Sequence, residues 1–221
     1  GGLLDSRIIN MMLAKVVLIV LIVGTVLADP DWTKVNDLFD EAIRDRIFPG
    51  GSVTVANQTH ILYRKNFGQL SYTYQLHDIE VKNSTKYDIA SVTKVMATTL
   101  GVMHLVGSNF LKLTDLVSKF IPNYDVNRKG NTTIANLLLH NSGQKYDYPG
   151  PLPKTTDDVW QYITFAKPDF PVGTQFQYSN LGFQLLSKIV ANVSRQTFQS
   201  YFEQNKIFAG LKNTNFNPPA S

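Results

Sequence analysis

Cysteine is absent from this 221-residue chain, which excludes disulfides, thiolate nucleophiles and cysteine-ligated zinc at the outset. Histidine is scarce. His60, His77, His104 and His140 show no ligand spacing, and neither a metal nor another cofactor is expected. Charged residues make up only 17% of the chain, with a net charge of +4 and the lysines and arginines scattered. No basic stripe forms, so a nucleic-acid partner is not expected. The apolar run from Val16 to Ala28 is thirteen residues long, short of the roughly 20 that a membrane-spanning helix needs. Internal repeats and low-complexity tracts are missing too. What remains is 43% apolar residues, enough for a core, in a length that suits one domain or part of a larger one.

The N-terminus carries a targeting pattern. Residues 1–10 precede Met11, lack targeting character and read as an upstream extension. Residues 11–28 read as a signal peptide: Lys15 is the positive n-region, Val16 to Val23 the apolar h-region, and Val26-Leu27-Ala28 a small-residue cleavage site before Asp29. The expected location is the secretory pathway, secreted or lumenal; an uncleaved signal would instead anchor the protein in a membrane. Asn57, Asn83, Asn131 and Asn192 head Asn-x-Ser/Thr sequons, which become glycosylation sites in that compartment. The remaining residues, 29–221, form the functional domain.

An apolar stripe of Val35, Leu38, Phe39, Ala42, Ile43 and Ile47 predicts a helix from about Trp32 to Ile47, stopped by Pro49-Gly50-Gly51. Strands are predicted at Ser52 to Ala56 and Ile61 to Lys65, with Asn57 in the turn between them. A loop-rich stretch reaches Tyr87, and helices dominate afterwards. Thr114 is expected to cap a short helix ending at Pro122, and Thr132 or Thr133 to cap Ile134 to Leu139. Thr156 with two aspartates is expected to cap Val159 to Phe165, Asn180 to open a helix to about Val190, and a last helix to span Thr197 to Ile207.

The most telling stretch is Ile89-Ala90-Ser91-Val92-Thr93-Lys94. Positions i and i+3 of a helix share a face, so the Lys94 ammonium can reach the Ser91 hydroxyl. The helix N-terminus adds unpaired N–H groups that favour negative charge on a reacting oxygen. Val92, Val95, Met96, Thr99, Leu100, Met103 and Val106 fall near a 3.6-residue period and predict the buried face of that helix. The bare motif is weak, because Ser142-Gly143-Gln144-Lys145 repeats it. That second copy lies beside Asn141 and Gly143 and reads as a loop. Standing alone, Ser91 could equally be an N-cap serine followed by a surface lysine.

Two further motifs follow in order: Leu137-Leu138-Leu139-His140-Asn141-Ser142-Gly143, then Tyr178-Ser179-Asn180 behind a Pro171-Val172-Gly173 lead-in. With them the chain resembles the serine β-lactamase and penicillin-binding-protein superfamily, in particular class C β-lactamase-related hydrolases and esterases, from about Trp32 to Ala220. The resemblance implies an α+β fold: an antiparallel sheet, of which two strands are present, flanked by helices, with an all-helical subdomain inserted after the second strand and the active site in the cleft between. It implies Ser91 as the nucleophile, Tyr178 and Lys94 as the groups that move and hold the proton, and Asn180 as a substrate-orienting residue that bridges to Lys94. Which of Lys94 and Tyr178 is the base stays open. The Ser91 N–H would form half of an oxyanion hole. His140 is expected to pin the turn after its helix rather than to act as a base, and Leu139 and Gln144 depart from the residue types usual at their places.

Members of the superfamily carry a third motif, Lys- or His-x-Gly, on a later strand, and none occurs between Asn180 and Ser221. The chain therefore reads as a fragment lacking the C-terminal strands, nearly inert by itself. The expected function is a serine hydrolase that acylates on an ester, amide or lactam, with a small molecule or peptide as substrate. The alternative is a catalytically silent binding or scaffold glycoprotein with the same fold.

Overall fold

The computed structural model describes residues 30–73, 78–151 and 155–216. The upstream extension and the signal peptide lie outside the described residues. Two compact units are present, one running to Tyr87 and one from Asp88 onward. None of the described helices is long and apolar enough to cross a membrane.

In the first unit, α1 (Thr33–Arg44) packs on an antiparallel hairpin of β1 (Gly50–Ala56) and β2 (Ile61–Gly68). Pairing runs from Gly50 opposite Gly68 to Val55 opposite Tyr63, with an irregularity after Val55. Aromatic rings supply the adhesion between helix and sheet. Phe39 stacks on Phe67 with centroids 4.5 Å apart, and Trp32 stacks on Tyr63 at 4.8 Å. Leu38 and Ile47, predicted on the same apolar stripe, are 64% and 74% exposed, so the helix presents a narrower face than its periodicity suggests. Asn57 sits in the hairpin turn as expected, where its side-chain oxygen accepts the N–H groups of Thr59 and His60.

The second unit is helical. Two turns come first: a π-helical segment, Lys94–Thr99, runs directly into α2 (Leu100–Gly107). A single 3-10 turn at Val117–Lys119 follows, then α3 (Ile134–Leu138), α4 (Thr156–Phe165), α5 (Asn180–Ser194) and α6 (Phe198–Gln204). The centre is α5, which buries Leu181, Phe183, Leu185, Leu186, Ile189 and Val190 against Val102, Leu105, Leu137, Ile163 and Phe202. Each such fully buried aliphatic side chain contributes roughly 1.5–3 kcal/mol. Gly101 lets α2 approach α6, since a Cβ there would already press on the Phe202 ring at 3.1 Å.

Capping explains where these helices start. Thr133 caps α3 in a reciprocal box with Asn136, as anticipated. For α4 the cap is Thr155 with Asp158, one residue earlier than predicted. Ser179, not Asn180, caps α5, its Oγ accepting the Gly182 N–H, and α5 runs on to Ser194, where Arg195 takes a left-handed conformation. Thr114 caps nothing; Asp115 instead accepts the Lys112 N–H and holds a turn. Thr197 caps α6.

The apolar face predicted for the serine helix is also corrected. Val92, Val95, Met96 and Met103 are 53%, 60%, 37% and 60% exposed, and Ala97, Thr98, Gly101, Val102 and Leu105 are buried instead. The cause is the π-helical turn, which inserts a residue and rotates everything after it against a 3.6-residue count. One charge lies deep in this unit. Lys129 is buried, its Nζ donating to the carbonyls of Ile163 and Thr164 above the Tyr124 ring, and burial lowers its pKa to about 8.

Candidate active site

Ser91 stands on the turn that opens the π-helical segment. The turn is tied by the Ala90 N–H bonded to the Asp88 carboxylate at 2.8 Å and by the Val92 N–H bonded to the Ile89 carbonyl at 2.9 Å. Ala90 is forced to a φ of 43°, a region costly for a residue with a Cβ. Backbone strain thus sits one residue before the hydroxyl. Among the described residues no acceptor takes the Ser91 N–H, which leaves that donor available to an oxygen brought against Ser91.

Lys94 comes round one turn later. Its Nζ donates to Ser91 Oγ at 3.2 Å and to Asn180 Oδ1 at 2.8 Å, and lies 4.6 Å from the centre of the Tyr178 ring. Hydrogen bonds from Lys94 first, then from Ser91, hold the Tyr178 phenol below its ordinary pKa, and the charge of Lys94 acts in the same direction against a smaller desolvation effect. The four residues singled out in the sequence, Ser91, Lys94, Tyr178 and Asn180, are therefore gathered into one hydrogen-bonded cluster. The serine of the repeated motif, Ser142, is buried in a loop, where its hydroxyl accepts the Gln144 N–H.

A family model for β-lactamase matches residues 35–221. The chain belongs to the β-lactamase family. It is 30% identical over 178 residues to "Protein flp" of Staphylococcus aureus (strain COL), covering 76% of this chain and 34% of that protein. It is 29% identical over 190 residues to a β-lactamase of Providencia stuartii, covering 85% of this chain and 48% of that one. A solved class C β-lactamase superposes with a TM-score of 0.74 at 25% identity, covering 86% of this chain and 51% of that structure. The chain thus spans a third to a half of the length of these curated relatives. The fold is the β-lactamase/transpeptidase-like α+β fold that the three motifs implied.

In this β-lactamase-family chain the surroundings of the cluster come from the loop after α3 and the start of α5. His140 accepts the Ser179 N–H at Nδ1, 2.9 Å away, so its proton resides on Nε2. Its ring stacks on Tyr178 at 4.5 Å and on Phe183 at 4.9 Å. It touches neither Ser91 nor Lys94 by hydrogen bond, and its place is that of a platform for the phenol. Gln144 is buried and donates to the Ile163 carbonyl at 3.1 Å, so a polar residue at this point of the turn ties it to α4 instead of filling an apolar gap.

Burial first, and the Lys94 charge second, lower the His140 pKa below its ordinary value of 6.5. The folded protein consequently binds fewer protons here than the unfolded chain. Stability from the neutral ring is complete above the unfolded pKa and is lost as pH falls through the folded one, because a protonated Nδ1 opposes the Ser179 N–H. Thermal denaturation should show Tm dropping on acidification below pH ~6.5 by roughly 2–4 °C for a lost bond of about 1 kcal/mol. His140→Asn, which tolerates the φ of 55° at this position, should lack that component.

Gly143 closes the same loop. Its φ is 74° and an added Cβ would run into the Phe170 carbonyl oxygen, while its own carbonyl accepts the Asp169 N–H at 2.9 Å. Both the conformation and the space exclude a side chain. Gly143→Ala should cost on the order of 2–4 kcal/mol in denaturant unfolding.

Sequence reasoning missed two contributors. Ser179 reads as the middle of Tyr-x-Asn, yet an Asn-preceding serine before an apolar run is itself an N-cap signal. Asp147 accepts from Asn180 Nδ2 at 2.8 Å, and no local pattern marks it, since its partner lies 33 positions away.

Proposed function

We propose that this protein is a serine hydrolase working through an acyl-enzyme on an ester, amide or lactam carbonyl. The observation that carries the reading is the Lys94 ammonium suspended between Ser91 Oγ and Asn180 Oδ1, with the Tyr178 phenol bonded to the same serine and ammonium. A serine hydroxyl needs a base, and a phenol shifted toward phenolate is one at closer to neutral pH. Ser91 Oγ attacks the carbonyl carbon and its proton passes to the Tyr178 oxygen. The tetrahedral oxyanion meets the free Ser91 N–H, a donor of a kind worth roughly 2.7–4 kcal/mol. Collapse expels the leaving group, which takes the proton back from Tyr178. Water then attacks the ester in the same way, its proton going to Tyr178 and on to Ser91 as the acid departs. Lys94 keeps its proton throughout in this scheme and holds the serine oxygen, the phenol and Asn180 in register.

The test is covalent capture of the full-length protein by an acylating or phosphonylating probe, with Ser91→Ala alongside. An adduct that maps to Ser91 supports the reading; probe-inert protein refutes it.

A further inference from the structure

Asn180 is gripped from one side by a single run of three residues. Ser179 Oγ donates to the Lys145 carbonyl at 2.6 Å, the Asn180 N–H donates to the Tyr146 carbonyl at 2.8 Å, and Asn180 Nδ2 donates to Asp147 Oδ2 at 2.8 Å. Main chain and side chain of Asn180 are thus fastened to consecutive positions of the loop between α3 and α4. Asp147 is itself fixed, its other oxygen accepting the Tyr148 N–H at 2.9 Å.

This grip bears on which way the Asn180 amide faces. A side-chain amide has an accepting oxygen and a donating nitrogen of nearly the same shape, and only its partners decide the orientation. Lys94 is a pure donor and Asp147 a pure acceptor in its ionised form. They meet the amide at opposite atoms, Oδ1 and Nδ2. Rotating the amide by half a turn would set N–H against ammonium and carbonyl against carboxylate, two repulsions in place of two bonds. One Nδ2 hydrogen is used by Asp147, which leaves the second to face a substrate.

We infer that Asp147 is a positioning residue for the reaction: it locks the Asn180 amide with its oxygen on Lys94 and one N–H free for the substrate. Asp147 touches neither Ser91 nor the reacting carbonyl, and the inference rests on the acyl-enzyme reading for its catalytic consequence but not for the geometry. A negative group is not required for the lock, only an acceptor at the Oδ2 position. That separates the role from simple charge balance.

Two measurements on wild type, Asp147→Ala and Asp147→Asn decide it. The first is the Asn180 side-chain amide in 15N-resolved NMR spectra, assigned by its loss in Asn180→Ala. The hydrogen-bonded Nδ2 proton should lie downfield in wild type, collapse toward the free-amide position in Asp147→Ala and stay displaced in Asp147→Asn, whose oxygen can still accept. The same spectra report whether each variant is folded. The second is the rate of Ser91 phosphonylation, expected to fall about ten-fold in Asp147→Ala, as for loss of other outer-shell partners, and to return to within about three-fold of wild type in Asp147→Asn. An unchanged Asn180 amide in Asp147→Ala, or an Asp147→Asn as slow as Asp147→Ala, overturns the inference. Absence of Ser91 labelling in wild type would refute the hydrolase reading alone, and the amide signal would still decide the positioning claim.

Discussion

Ser91→Ala is expected to abolish covalent capture by phosphonate or β-lactam probes while leaving the fold intact. The side chain is exposed on its turn and contributes no buried surface, so alanine removes a hydroxyl and little else. In a serine hydrolase the loss of the nucleophile costs on the order of 10⁶-fold, leaving only what binding and oxyanion donors supply. Intact-mass spectrometry should therefore show a probe adduct in wild type and none in the variant, with matching thermal denaturation curves. A second reactive hydroxyl is not in reach: Ser142 is buried and its oxygen is bonded to the Gln144 N–H. Labelling that persists at full rate in Ser91→Ala would remove the nucleophile from the scheme and the mechanism with it.

Tyr178→Phe is the next largest effect. The ring remains to stack on His140 and to face Lys94, so packing is preserved and only the phenolic oxygen disappears. Loss of a positioned acid–base group costs about 10²–10⁴-fold in rate, or roughly 3–5 kcal/mol of barrier. The pH profile carries the more specific sign. Because Lys94 and Ser91 depress the phenol's pKa, acylation by wild type should climb as pH rises toward that pKa and then level. In Tyr178→Phe the climb should vanish along with the rate. A variant that is slow yet keeps the wild-type inflection would assign the base to another group, with Lys94 the first candidate.

The site was legible to different depths at different residues. Ser91 and Lys94 are three positions apart, and any helical winding brings such a pair to one face, so their meeting at 3.2 Å needed nothing beyond local geometry. Tyr178 and Asn180 were readable only through motif order, because no periodicity links them to a serine 87 residues earlier. Asp147 was unreadable. A carboxylate in a polar loop looks like any other until the chain folds back, and its importance comes from which atom it faces. The buried face of the serine helix was misread for a definite reason: counting by 3.6 residues assumes an uninterrupted α-helix, and the π-helical turn at Lys94–Thr99 breaks that count. Caps were found to within one residue because Ser and Thr neighbours compete for the same role, and the winner is settled by which backbone reaches the extended conformation first.

Residue chemistry in one dimension determined the family, the existence of the helix after Ser91, the hairpin before it, and the identity of the four side chains most concerned with the carbonyl. Those follow from short-range geometry and from motifs, both written locally. Only the tertiary structure decided that Lys94 bridges two oxygens, that His140 offers its face to Tyr178 and not its nitrogen to Ser91, and that Asp147 orients Asn180. Each of these depends on directions between atoms far apart in the chain, and such directions are set by how the loop after α3 closes over the start of α5.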